Sequence, residues 1–410
     1  MDLKIACDNR TEQVSVPEKN LLGVLQPNRF ETSFCDINSA ISKAAQEAKN
    51  FIADSHRILV LLNDYTRPTP NEPILKLLEE ELNKRDTKYL ICLGTHRQAK
   101  EEELKNIIGE EILERIKGRI IQHDCRDRPS LYFLGKTRFG TEVELNRALI
   151  WAERIITINS IEPHYFAGYT GGRKCFIPGI AGIKTIAQNH NLLLHPASAP
   201  FSLKENPVHL DMTEAARMVP KPVFSIQLVQ DSKHNLLSVH CGDLFTSFEK
   251  ACLDAYKVFA VPLKEKADII LSVLQTPYTI NFYQSQRAVE FAIPALKPNG
   301  IQITVSPCYD GVGNDDFVRV LQSCSTPDEL LNMKPPEVLG WHKAARLARI
   351  MQKAQLYTVM PGVKDELIRS VFMHPFSSIQ AALDFALEKL GKNATIYIIP
   401  DAGSLVPVVT

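Results

Sequence analysis

The segment Glu162-Pro163-His164-Tyr165-Phe166-Ala167-Gly168-Tyr169-Thr170-Gly171-Gly172-Arg173-Lys174 concentrates chemistry that structure alone seldom demands. His164 is a group able to titrate near neutral pH. Gly168, Gly171 and Gly172 let backbone approach a ligand closely and expose its N–H groups. Arg173 and Lys174 add fixed positive charge. The combination predicts an active site that also holds an anionic ligand. Lys174 has two readings: a phosphate or carboxylate contact, or a nucleophilic amine that bonds a cofactor covalently.

Two shorter segments carry similar residue types, Asp64-Tyr65-Thr66-Arg67-Pro68 and Thr95-His96-Arg97. Taken alone, Asp64 and Arg67 read as a capping aspartate and a surface arginine, because Asp and Pro commonly mark turns. His96 alone reads as a structural histidine. His190 and His195 are five residues apart and would not share a helix face, so they are no chelating pair. HExxH and other multi-histidine metal spacings are absent from the sequence. A metal bound here would take most of its ligands from a cofactor. Tyr165, Phe166 and Tyr169 read as packing around the loop, and Trp341, Phe372 and Met373 as core.

The elements that must position these residues read as α/β. Short β-rich apolar runs alternate with amphipathic helical patterns. Runs at 58–62, 89–93 and 154–159 each end directly at one of the three polar segments, with a charged helical stretch from 100 to about 117 after the second. Ligands of open α/β sheets bind outside the carboxyl ends of strands, so the three loops can line one crevice. A second set begins with a strand at 267–274. It continues with a helix from 283 to about 296, strands at 301–305 and 356–359, a helix from 378 to about 390 and a strand at 394–399. Residues 261–266 form the expected linker. This predicts two α/β domains, 1–262 and 267–410, with cofactor and active site in the cleft between them.

Length and composition agree. At 410 residues the chain suits two cores. Lys+Arg and Asp+Glu balance at 47 each, which points away from nucleic acid and anionic membranes as partners. Nine scattered cysteines without a CxxC pair suggest reduced thiols in a cytoplasmic protein. The N-terminus lacks the apolar core of a signal peptide, and no apolar run approaches the roughly 20 residues that span a bilayer.

DYTRP at 64–68, THR at 95–97, EPHYFAGYTGGRK at 162–174, Asn189-His190, Tyr283-Gln284 and the segment 373–378 together resemble the nickel-pincer-nucleotide lactate racemase family. The matches run in order through both halves, and the 162–174 block is highly specific. The resemblance implies a pyridinium-3,5-bisthiocarboxylic acid mononucleotide type of cofactor that gives two sulfurs and a carbon to one nickel. It implies His190 as the nickel ligand from the protein and Lys174 as the covalent tether. Asp64, Thr66, Arg67, Gly171 and Gly172 would hold the cofactor, and His96 and His164 would be the paired acid/base groups. Tyr283, Gln284, Arg287 and again Arg67 would bind substrate. One departure stands out: Arg287 occupies the place, four residues after Tyr283, where relatives usually carry lysine. A planar guanidinium is not a neutral exchange for an ammonium at a carboxylate site.

The function expected is racemisation or epimerisation of a 2-hydroxy acid, lactate or a relative of it, through a 2-keto acid. The enzymes that make the cofactor would be transient partners. Two alternatives differ in class: a non-catalytic carrier of the cofactor, and an enzyme of pyridoxal phosphate or NAD. Intact His96 and His164 argue against storage, and the lack of an early GxGxxG against a dinucleotide.

Overall fold

A computed structural model describes residues 1–333, 338 and 340–410. The chain divides into two compact units, Arg29–Val258 and a second made of Met1–Asn28 with Phe259–Thr410.

The unit 29–258 is built on a six-stranded sheet. Its order is Leu236–Asp243, Val223–Gln230, Arg154–Ser160, Arg57–Asn63, Asp86–Cys92, Ile120–Gln122. All neighbours are parallel except Leu236–Asp243, which pairs antiparallel with Val223–Gln230. The continuous apolar run Ile58-Leu59-Val60-Leu61-Leu62 is fully buried because both faces of the strand are covered. Ile58, Val60 and Leu62 pack with Ile41, Ala44, Ala45, Ala48 and Ile52 of the helix Ile37–Ile52 and with Leu75, Leu78 and Leu82 of Glu72–Asn83. Leu59 and Leu61 face Phe176, Ile177 and Met212 on the other side. Each of these side chains larger than alanine contributes about 1.5–3 kcal/mol by burial. The helix Ile37–Ile52 starts where Asp36 accepts the Ser39 N–H. The stretch expected as one helix from 100 to 117 is two, Glu101–Ile108 and Glu110–Ile116. Gly109 separates them at φ 94°, and a Cβ there would lie 2.6 Å from the Glu72 side chain.

The order of strands places the site. From Arg57–Asn63 the chain moves outward to Asp86–Cys92 and Ile120–Gln122, then returns to the opposite side with Arg154–Ser160. The sheet therefore reverses direction between Arg57–Asn63 and Arg154–Ser160, and ligands of doubly wound sheets sit at such a point. The segments beginning at Asp64 and Glu162 leave the carboxyl ends of these two neighbours.

The other unit has its own parallel sheet: His374–Pro375, Ala354–Val359, Leu296–Val305, Ala267–Val273, Ile396–Ile399, Leu21–Val24. The fold class expected, two α/β domains, is what the structure has. Its partition differs from 1–262 and 267–410, since Leu21–Val24 pairs with Ile396–Ile399 and takes the first 28 residues into the unit of the C-terminal half. Residues 261–263, expected as linker, lie in the strand Ala260–Leu263, which pairs with Val406–Val409. The helix expected to reach 296 ends at Ala292, ahead of Pro294. Trp341 and Met373 are buried, as core residues should be. Among the described residues, no helix is long and apolar enough to cross a membrane.

Candidate active site

Asp64 is the first residue past its strand and is almost wholly buried, at 5% exposure. Oδ1 accepts the Thr66 N–H at 3.1 Å and its hydroxyl at 2.7 Å, while Oδ2 meets His96 Nδ1. Burial works against its charge, but the His96 hydrogen bond, the charges of His96 and Arg67 and the Thr66 hydroxyl hold the carboxyl below its usual range. Arg67 Nε pairs with Glu162 Oε1 at 3.3 Å, linking the first loop to the third. His96, at the end of the neighbouring strand, keeps 44% of its side chain exposed. Arg97, in contrast, turns to a forked pair with Glu103 at 2.6 and 2.7 Å and lies over the Tyr65 ring.

The third loop is folded by its own residues. Pro163–His164 pairs with Gly168–Tyr169 as a two-residue ribbon. The His164 ring stacks on Tyr165 at 4.9 Å and meets the edge of Phe166 at 4.5 Å, and its Nδ1 accepts the Ala167 N–H at 3.3 Å. Gly171 and Gly172 have φ of 69° and 51°, and a Cβ would fall 2.2 Å from Ile161 and 2.6 Å from Phe248. The Gly172 N–H donates to Gln227 Oε1. Both glycines are thus needed for the loop's own packing.

Arg173 and Lys174 have separate tasks. Arg173 is fully buried, and its guanidinium donates to the carbonyls of Ala167, Tyr169 and Gly171 and lies 4.4 Å over the Phe248 ring. Burial brings its pKa down to about 10. It serves as an internal staple of the loop, a role that its charge alone did not reveal in the sequence. Lys174 keeps some exposed surface, yet its amine is hemmed in by protein. Burial and then the Arg173 and Arg67 cations push its pKa well below the usual lysine value, with Asp64 and Glu162 pulling the other way.

Phe166 ties the remaining group to this cluster. Its ring lies 5.0 Å from that of His190 and 5.8 Å from Lys174 Nζ. His190 is the last residue of the helix Ile183–His190. That helix is anchored by Asn189, which donates to Asp211 Oδ2, itself bonded by Thr137 and Thr141. Asn206 fixes Phe166 by donating to its carbonyl at 2.8 Å while capping the helix Pro207–Arg217. Asp211 and Asn206 carry no motif, and only their buried positions reveal them. His195, the other histidine weighed with His190, is exposed.

Tyr283, Gln284 and Arg287 belong to the second unit, on the helix Phe282–Ala292. Gln284 N–H is capped by Asn281. Arg287 Nε donates to the Gly403 carbonyl at 3.0 Å, with the Tyr278 and Phe291 rings each 4.5 Å from its guanidinium. Beside it Lys343 donates to the Tyr283 carbonyl at 2.6 Å and lies 3.8 Å over the Tyr283 ring. Burial lowers Lys343 to about 7 although Glu290 raises it, and Arg287 adds to the lowering.

Beyond the carboxyl ends of its strands, where doubly wound sheets bind their ligands, this sheet carries His96 on Asp64 and, around the Phe166 ring, His164, His190 and a desolvated Lys174. Residues 7–200 match the lactate racemase N-terminal domain and residues 263–407 the lactate racemase C-terminal domain. Lactate racemase of Thermoanaerobacterium thermosaccharolyticum is 29% identical over 360 residues, covering 85% of this chain and 84% of that one. Lactate racemase of Lactiplantibacillus plantarum is 29% identical over 415 residues, 96% of each. The lactate racemase apoprotein structure from Thermoanaerobacterium thermosaccharolyticum superposes with a TM-score of 0.90 at 25% identity, over 99% of this chain and 100% of that one. A protein from Thermotoga maritima shares the fold, with a TM-score of 0.71 at 17% identity over 90% of this chain and 98% of that one. The chain belongs to the lactate racemase family. It is an isomerase of the racemase class, as the motifs imply.

Proposed function

We propose that this racemase interconverts the enantiomers of a 2-hydroxy acid, lactate first among them, in the cytoplasm, with a nickel pincer nucleotide held at Lys174 and His190. The observation that supports the reading is one chain of contacts around a desolvated Lys174: His96 meets Asp64, whose charge acts on Lys174, and the Lys174 amine and the His164 ring both meet the Phe166 ring.

The residues present fit such a group. A lysine whose ammonium is disfavoured spends more time as the free amine, which is the form that bonds an acyl carbon. An imidazole such as that of His190 suits nickel in a tetragonal site. Among the described residues, no three or more His, Cys, Asp or Glu side chains are grouped to hold a metal alone, so further donors would come with the cofactor. When bound, the cofactor supplies a reversible acceptor for the α-hydrogen. The chain's own groups manage the proton and the pose. His96 and His164 exchange the substrate hydroxyl proton, one for each enantiomer, and imidazole exchanges protons well near neutral pH. Arg67, held by Glu162, brings a guanidinium to the cluster for anionic groups.

The test is co-production with the cofactor-making enzymes, followed by nickel content, intact mass and chiral chromatography of each 2-hydroxy acid offered. About one nickel per chain with an added mass and racemised product is expected. Nickel with no turnover of any 2-hydroxy acid would replace the racemase by a carrier. Neither nickel nor adduct would remove the cofactor assignment.

A further inference from the structure

Asp64 and His96 come from the ends of adjacent strands and meet through a side-chain contact between Oδ2 and Nδ1. Three details make the contact directional. The other carboxylate oxygen, Oδ1, is engaged by both Thr66 donors at 3.1 and 2.7 Å, so the carboxylate cannot rotate without losing them. Asp64 is 5% exposed, so water does not readily compete for it. An ionised carboxylate only accepts hydrogen bonds, so the proton shared with His96 must sit on Nδ1. His96 in its neutral form then carries its lone pair on Nε2, the ring nitrogen not turned to Asp64, in a side chain that is 44% exposed. His164 is held in another way: its Nδ1 accepts a backbone N–H from Ala167. The two imidazoles are therefore not equivalent.

We infer that Asp64 is a positioning residue that acts through His96, fixing the Nδ1–H tautomer so that Nε2 is ready to accept a substrate hydroxyl proton. This rests on the racemase reading and goes beyond it, because the resemblance gives Asp64 only to the nucleotide. The same arrangement stabilises the imidazolium once formed, since carboxylate and cation then share a charge-assisted bond. Asymmetry between His96 and His164 cannot bias the product ratio, because enantiomers are of equal energy and kcat/KM must be equal in the two directions. It can make kcat and KM differ together between the two enantiomers.

Asp64→Asn discriminates. An amide has one oxygen, and the two Thr66 donors claim it, leaving the NH2 toward His96. Nδ1 must then accept, and the proton moves to Nε2, the wrong end for a base. The measurement is a long-range proton–nitrogen correlation spectrum of protein labelled in histidine, with His96 assigned by its loss in His96→Gln. Neutral His96 is expected as Nδ1–H in the wild type and as Nε2–H in Asp64→Asn. The loaded Asp64→Asn enzyme should keep its nickel yet lose about 100- to 10,000-fold in racemisation, with part recovered by Asp64→Glu. An Nε2–H tautomer in the wild type overturns the assignment, as does an unchanged tautomer in the variant or a loss of activity matching the loss of nickel. If the loaded wild type racemises nothing, the functional reading falls, while the tautomer still decides the role of Asp64.

Discussion

At the residue scale, Lys174 is defined first by burial and then by its cationic neighbours Arg173 and Arg67. With its pKa pushed well below the usual lysine value, it loses its proton at lower pH than surface lysines do. Competitive labelling with an acylating reagent near pH 7 should therefore modify Lys174 ahead of lysines of ordinary acidity, provided the reagent is small. The preference should fade as pH rises and the others deprotonate; no preference at pH 7 would refute the desolvated amine. Lys174→Ala should also lose the added mass of cofactor, while His190→Ala should keep the mass and release nickel, read by mass and metal analysis. His164 and Lys174 were legible because their partners lie within one short segment. The bond from Asp64 to His96 was not, because 32 residues of chain and a strand pairing separate them.

At the scale of elements, the site depends on a loop that holds its own shape. Arg173 closes it with bonds to the carbonyls of Ala167, Tyr169 and Gly171. Arg173→Met should leave the far-ultraviolet circular dichroism of the sheet nearly intact but loosen the loop. Losing charged hydrogen bonds of about 1.5–3 kcal/mol each should show as faster amide exchange over 166–174 and much lower nickel retention. Unchanged exchange there would mean that the staple is dispensable. The placement of the three loops at strand ends could be read in advance, since each apolar run stops at a polar segment. The hairpin partners and the Asn189–Asp211 anchor could not, because single buried polar residues leave no periodic trace.

For the whole molecule, the unit holding Lys343 should show a pH-dependent stability. Burial brings its amine to about 7 in the folded state, against the ordinary lysine value of 10.5 in the unfolded chain, so between these the unfolded chain binds more protons. Stability must then rise with pH across that window. In Lys343→Met the rise should flatten, and the urea midpoint of this unit at pH 6 should be higher than in the wild type, because a buried cation has been removed. A lower midpoint at pH 6 would show that the bond to Tyr283 outweighs the desolvation. The two-domain organisation was visible as two successive sets of strands and helices. The membership of Met1–Asn28 was not, because parallel pairing with Ile396–Ile399 leaves no local signal in a four-residue strand.

That distant pairing sets an order on biosynthesis. The strand Leu21–Val24 leaves the ribosome long before Ile396–Ile399 exists. At about 5–20 residues per second, the wait is on the order of 20–75 s. Meanwhile Arg29–Val258 emerges as a continuous stretch with a sheet of its own. The unit 29–258 can thus fold while the strand Leu21–Val24 still waits, unpaired in its own sheet, for its neighbour to be made.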